Sequence, residues 1–131
     1  MSESKESGGL HILVAEDNRV NQQLMKIILK NLGHTCDIAP EGRTALEYLH
    51  AHTYDLVIID IHMPVMDAFQ LVKKIRSDID LRELPVFALS AATSKSETSN
   101  LLEAGCDDYI PKPIDTHELE RKINGIIQKK A

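Results

Sequence analysis

Residues 54–68 read YDLVIIDIHMPVMDA. A nearly unbroken apolar run from Leu56 to Ile61 is interrupted by one carboxylate, Asp60, and then broken at Met63-Pro64 ahead of a second acid, Asp67. A charge left in an apolar setting without a partner is costly, so Asp60 must reach water at a strand end or face cations. The length of the run suits a strand covered on both faces, and Pro64 cannot continue it. Pro64 would also restrict His62 and Met63, while Asp67 would sit where a helix N-terminus favours an acid.

Working outward, similar runs occur at LHILVAE (10–16), TCDIA (35–39), DLVIIDI (55–61) and PVFALSA (85–91), with a shorter one at DDYIP (107–111). Several are continuous rather than alternating, as expected of parallel strands flanked by helices. Helical spacing lies between them. Val20, Leu24, Ile27, Ile28 and Leu32 mark a first helix that stops at Gly33, and Ala45, Leu46 and Leu49 a second. Leu71, Val72 and Ile75 mark a third, and Leu101, Leu102 and Ala104, closed by Gly105, a fourth. The fifth opens after Pro113 with Asp115 or Thr116 as N-cap and carries Leu119, Ile123, Ile126 and Ile127. Five strand–helix alternations with short connections predict an α/β fold, a doubly wound parallel sheet with five helices.

The 131 residues fit one domain, with 43% hydrophobic and 27% charged residues and no run long and apolar enough to span a bilayer. We expect no membrane insertion. The opening MSESKESGG (1–9) reads as a disordered tail or linker with no apolar export signal, leaving 10–131 as the domain. A net charge of -5 disfavours nucleic-acid binding by broad phosphate neutralisation. Cys36 and Cys106 lack metal-ligand spacing and read as small packed residues, and the six scattered histidines do not predict a zinc site.

In such sheets ligands bind beyond the carboxyl ends of the strands. Strand one ends in Glu16-Asp17, strand three in Asp60, strand four in Ser90, and Lys112 follows strand five. Three acids, one hydroxyl and one ammonium at one rim describe a site for a hard divalent cation such as Mg²⁺ shared with a phosphate. Without the cation the acids repel, and at least one pKa should rise. Asp60 would then be held between a cation and Lys112, available as a nucleophile.

The motifs ILVAEDN, DLVIIDIHMPVMD, PVFALSA and DDYIPKP, in this order, closely resemble those of response regulator receiver domains, from about Leu10 to Gln128. The resemblance implies a flavodoxin-like sheet in strand order 2-1-3-4-5. It implies that Asp60 is the phosphorylation site, accepting a phosphoryl group from a partner's phosphohistidine on a histidine kinase or histidine-phosphotransfer domain. Asp17 would bind Mg²⁺ directly, Glu16 through water and His62 through its carbonyl, with Asp60 itself a further ligand. Lys112 and Ser90 would hold phosphoryl oxygens, Ser90 and Tyr109 would form the switch, and Lys112-Pro113 would be a cis peptide. EDNRVN (16–21) is similar to receivers joined to hybrid sensor kinases, which suggests a phosphotransfer partner docking near the first helix. The implied location is cytoplasmic, including the cytoplasmic part of a membrane-bound hybrid kinase. Ala68 stands where a glycine is common, with no expected loss of chemistry, and Ser90 where threonine is frequent, keeping the hydroxyl but not the methyl, which implies a looser switch.

A small-substrate phosphohydrolase would need a covering cap and a second acid, for which there is no insertion. A flavin binder would place an anion at EDNRVN, against acids that repel it. A receiver-like module that no longer takes phosphate would be expected to lack an acid or the lysine, and all are present.

Overall fold

The structure is a computed structural model that describes residues 9–61, 68–90 and 95–130. The 1–8 portion of the expected tail, His62, the Met63-Pro64 break and Asp67 lie outside the described residues.

Five strands alternate with five helices: β1 (His11–Ala15), α1 (Arg19–Asn31), β2 (Thr35–Ala39), α2 (Gly42–Ala51), β3 (Leu56–Asp60), α3 (Ala68–Ser77), β4 (Val86–Ser90), α4 (Lys95–Ala104), β5 (Asp108–Pro111) and α5 (Thr116–Lys130). All neighbouring strands pair in parallel, in the order β2-β1-β3-β4-β5, the doubly wound flavodoxin-like arrangement. Each strand lies within a residue or so of the span expected from its apolar run.

Every side chain of β3 and β4 is buried, which accounts for their lack of polar alternation. The period of two divides them between two cores. On one face Ile12, Val14, Leu56, Ile58, Phe87 and Leu89 pack with α1 and α5. On the other Leu13, Ala15, Val57, Ile59, Val86 and Ala88 pack with α2, α3 and α4.

The helix ends follow local chemistry. Asn18 caps α1, its side chain accepting the Asn21 N–H at 2.9 Å. Asp115 rather than Thr116 caps α5, Oδ1 accepting from His117 at 2.9 Å and Glu118 at 3.2 Å. Both α1 and α4 close on a glycine with positive φ, Gly33 at 93° and Gly105 at 119°. The bonds His34 N–H to Leu29 and Gly33 N–H to Lys30 recur as Cys106 to Leu101 and Gly105 to Leu102, the paired closure that satisfies the last free carbonyls. Ala68 begins α3 and is buried, so a small residue there is compatible with the packing.

One helix presents a different face from the one its spacing suggests. Of the five residues that mark α1, only Ile28 is buried; Leu32 is half-buried, and Val20, Leu24 and Ile27 are 74%, 44% and 57% exposed. Met25 and Leu29, at 0% exposure, carry the core contact instead. The helix holds two adjoining apolar stripes, and the sheet covers only one. In α5, Leu119, Ile123 and Ile126 are buried and Ile127 is half-buried, as the pattern indicates. Cys36 and Cys106 are free thiols, Cys106 buried and Cys36 half-buried. Among the described residues, no helix is long and apolar enough to cross a membrane.

Candidate phosphoryl and metal site

Strand register assembles the site. Ala15 faces Ile59, Asp60 faces Leu89 and Ser90 faces Pro111, so Glu16, Asp60, Ser90 and Lys112 emerge in sequence along one sheet edge. Hydrogen bonds beyond the strands hold these ends: Glu16 N–H to the Ala39 carbonyl at 3.0 Å, Ile61 N–H to Leu89 at 3.1 Å, and Lys112 N–H to Ser90 at 2.9 Å. The Lys112–Pro113 peptide is cis.

Lys112 Nζ donates to Asp60 Oδ1 at 3.1 Å, with the Asp60 side chain only 4% exposed. The question posed by the opening stretch is thereby answered: the acid that ends the apolar run is buried and faces an ammonium delivered by β5. Glu16, Asp17 and Asp60 each offer a carboxylate oxygen, all within 4.8 Å of one another. Asp17 is exposed; Glu16 is fully buried.

Glu16 decides whether this cluster suits a cation. Its Oε2 accepts the Asn18 N–H at 3.2 Å, and its buried Oε1 has no hydrogen-bond partner among the described residues. Burial, followed by the nearby Asp60 carboxylate, pushes its pKa up to about 7 from an ordinary 4.5. A buried oxygen left without a donor among the described residues, on a carboxylate grouped with two other acids, fits a hard divalent cation, which takes carboxylate oxygens as ligands.

Ser90 is buried at the end of β4. Tyr109 is half-buried and pairs with Ala88, two residues before Ser90, and by strand alternation Tyr109 and Ser90 project to the α2–α4 side, where Tyr109 packs against the core. His62 lies outside the described residues. Two supporting contacts escaped sequence reasoning. Asn18 and Gln22 fasten the first acid loop, Gln22 Nε2 donating to the Glu16 carbonyl at 2.7 Å; the signal for Asn18 was its capping position before the first helix. Lys122 on α5 reaches β5, and only its i,i+4 spacing from Glu118 hinted at an ion pair.

A cavity of about 170 Å³ adjoins the cluster, walled by Glu16, Leu24, Met25, Lys112 and Pro113. It lies between α1 and the loop after β5, open beside the exposed α1 stripe.

Residues 12–124 match the family described as the response regulator receiver domain. The chain belongs to this family. The receiver is 36% identical, over 90% of its length, to a hybrid signal transduction histidine kinase of Dictyostelium discoideum, of which it spans 7%. It is 32% identical, over 92% of its length, to the response regulator MprA of Mycolicibacterium vanbaalenii, of which it spans 51%. The receiver therefore spans about half or less of these curated relatives. Among solved structures it is similar to the receiver domain of a sensor histidine kinase from Pseudomonas aeruginosa, with 32% identity, a TM-score of 0.85, and coverage of 92% of this chain and 98% of that one. That crystal structure has a magnesium ion coordinated in the active-site cleft.

Proposed function

We propose that this receiver, residues 10–131, accepts a phosphoryl group on Asp60 from the phosphohistidine of a histidine kinase or histidine-phosphotransfer domain. The observation that carries the reading is the Asp60 carboxylate, fixed at the end of a central strand, with Lys112 Nζ 3.1 Å from one oxygen and the Glu16 and Asp17 carboxylates gathered beside it.

Mg²⁺ would be held by Asp17, Asp60 and, through water, Glu16, with the His62 carbonyl added by family resemblance, and it would supply positive charge to the phosphoryl oxygens. In the transfer, an Asp60 oxygen bonds to phosphorus as the phosphorus–nitrogen bond breaks, and the imidazole departs with that electron pair and takes a proton from solvent. Lys112 stabilises charge on an equatorial oxygen, and the Ser90 hydroxyl donates to another. Loss of the group runs through attack of water on the same phosphorus, with the bond to the Asp60 oxygen breaking, the carboxylate restored, inorganic phosphate released and the water's proton passing to solvent. Asp60 needs no separate general base, because it is already a carboxylate facing an ammonium.

The phosphoryl group adds charge and acceptor oxygens where Ser90 ends β4, and Tyr109 follows Ser90 inward to alter the adjoining surface. The exposed Val20, Leu24 and Ile27 stripe and the cavity beside it support α1 as the docking face for the phosphohistidine-bearing partner.

Intact-mass measurement after incubation with a small phosphodonor and Mg²⁺ tests the reading. One phosphoryl group should appear on the wild type and none on Asp60→Asn. No uptake by the wild type, or equal uptake by the variant, refutes it.

A further inference from the structure

Lys122 stands out among the described lysines because its side chain is only 12% exposed. Its ammonium donates to the Tyr109 carbonyl at 2.6 Å and to Asp108 Oδ1 at 3.0 Å. It also lies 3.5 Å from Glu118 Oε2, one turn earlier on α5, and 5.0 Å from the centroid of the Tyr109 ring. One cation therefore joins both the main chain and the ring of Tyr109 to α5.

The position of β5 gives this contact consequence. Among the described residues β5 is an edge strand, hydrogen-bonded to β4 on one side only, with no further strand fixing Tyr109 from outside. The bond to the carbonyl anchors the Tyr109 backbone. The ring interacts with the ammonium through its electron-rich face, an attraction that depends on the ring staying where it is. If the ring moves toward Ser90 it leaves the cation, while the main-chain bond remains. The resting pose thus carries a stabilising contact that the moved pose lacks, and a population difference follows.

We propose that Lys122 is the positioning residue of the switch: it holds the Tyr109 ring in its resting pose and transmits the ring's departure to α5. The inference rests on the reading that Tyr109 moves with Ser90. Among the described residues Lys122 bonds to Tyr109 and Asp108 of β5 and pairs with Glu118, not with Asp60 or the acid cluster, so it acts on the site through β5. The ion pairs with Asp108 and Glu118 limit the directions the ammonium can take, and the ring stands over that constrained charge. Removing the ammonium should raise the fraction of inward ring in the unphosphorylated protein about two- to fivefold, the size of one partly exposed cation–ring contact.

The test is NMR of ring-labelled tyrosine in the full chain. There are three tyrosines; Tyr48 and Tyr54 pack around His52, and the Tyr54 O–H donates to Asp37 of β2, the strand at the opposite edge from β5, which makes them internal controls for folding. In unphosphorylated Lys122→Met, the Tyr109 ring signal should move toward its position in the phosphorylated wild type, with Tyr48 and Tyr54 unchanged. Lys122→Arg, which keeps the cation, should retain the wild-type signal. A Tyr109 signal in Lys122→Met identical to wild type overturns the proposal. If Lys122→Met disturbs all three rings, Lys122→Arg decides: a Tyr109 displacement as large as in Lys122→Met also overturns it. Phosphoryl uptake by the wild type, read by mass in the same samples, separates the two readings. Absence of uptake defeats the phospho-acceptor assignment, whereas an unmoved ring on a phosphorylatable protein defeats only the role of Lys122.

Discussion

Substituting Glu16 with glutamine should stabilise the cation-free protein at neutral and alkaline pH, although it removes an acid from the candidate site. Glu16 is fully buried, with Oε1 unpartnered among the described residues and the Asp60 carboxylate near it. Its pKa is pushed from 4.5 to about 7, so between those values the folded protein keeps a proton that the unfolded chain releases. The unfolded state therefore binds fewer protons, and stability falls as pH rises. The contribution is fully present below pH 4.5 and lost above about 7. A displacement of 7 minus 4.5, at 1.36 kcal/mol per unit, amounts to about 3 kcal/mol. Glutamine is uncharged throughout, so Glu16→Gln should gain on the wild type by up to that amount between pH 5 and pH 8, on the order of 10 °C in Tm for a domain of this size. The assay is urea unfolding in EDTA at half-unit pH steps. Added Mg²⁺ should then raise wild-type stability at pH 8 much more than at pH 5, and raise Glu16→Gln less. A stability difference between the two proteins that stays constant from pH 5 to 8 refutes the reasoning, since it leaves Glu16 no unfavourable ionisation for a cation to offset.

The other predictions concern parts of the fold that support the site. Gly105→Ala should cost roughly 1–3 kcal/mol by denaturant unfolding, because φ is 119° and an added Cβ would stand 2.8 Å from Arg76 Cγ; Gly33→Ala, with φ 93° and no neighbour within 4 Å, should cost less. His34 is buried, its Nδ1 accepts the Leu10 N–H at 2.9 Å, and burial lowers its pKa. Its contribution is present above the ordinary value of 6.5 and declines as pH falls below it, so His34→Gln should gain on the wild type between pH 7 and 5, compared at each pH because Glu16 slopes the opposite way. Val20→Ser and Ile27→Ser should alter stability by only about 0.5 kcal/mol, since both side chains are already exposed, yet slow phosphoryl transfer from a phosphotransfer partner while leaving uptake from a small phosphodonor intact.

Much of the fold was legible because continuous apolar runs and helical spacing are properties of the chain itself. The spans of β1 to β5, the glycine stops at Gly33 and Gly105, and the polar residue ending each central strand follow from local sterics and burial. The motifs supplied the strand order and the candidate site, and the register brings Glu16, Asp17, Asp60 and Lys112 together.

Spacing along α1 could not tell which apolar stripe the sheet would cover. It took Met25 and Leu29 inward and left Val20, Leu24 and Ile27 exposed, because burial depends on the angle at which the helix meets its neighbours, not on the stripe alone. Adjacent acids likewise look alike in sequence, yet Glu16 is fully buried while Asp17 meets solvent. The ammonium of Lys122 reaches the Tyr109 ring from 13 residues away. Periodicity fixes which residues share a face; the crossing of separate elements decides what that face meets, and the energy of a charge depends on what it meets.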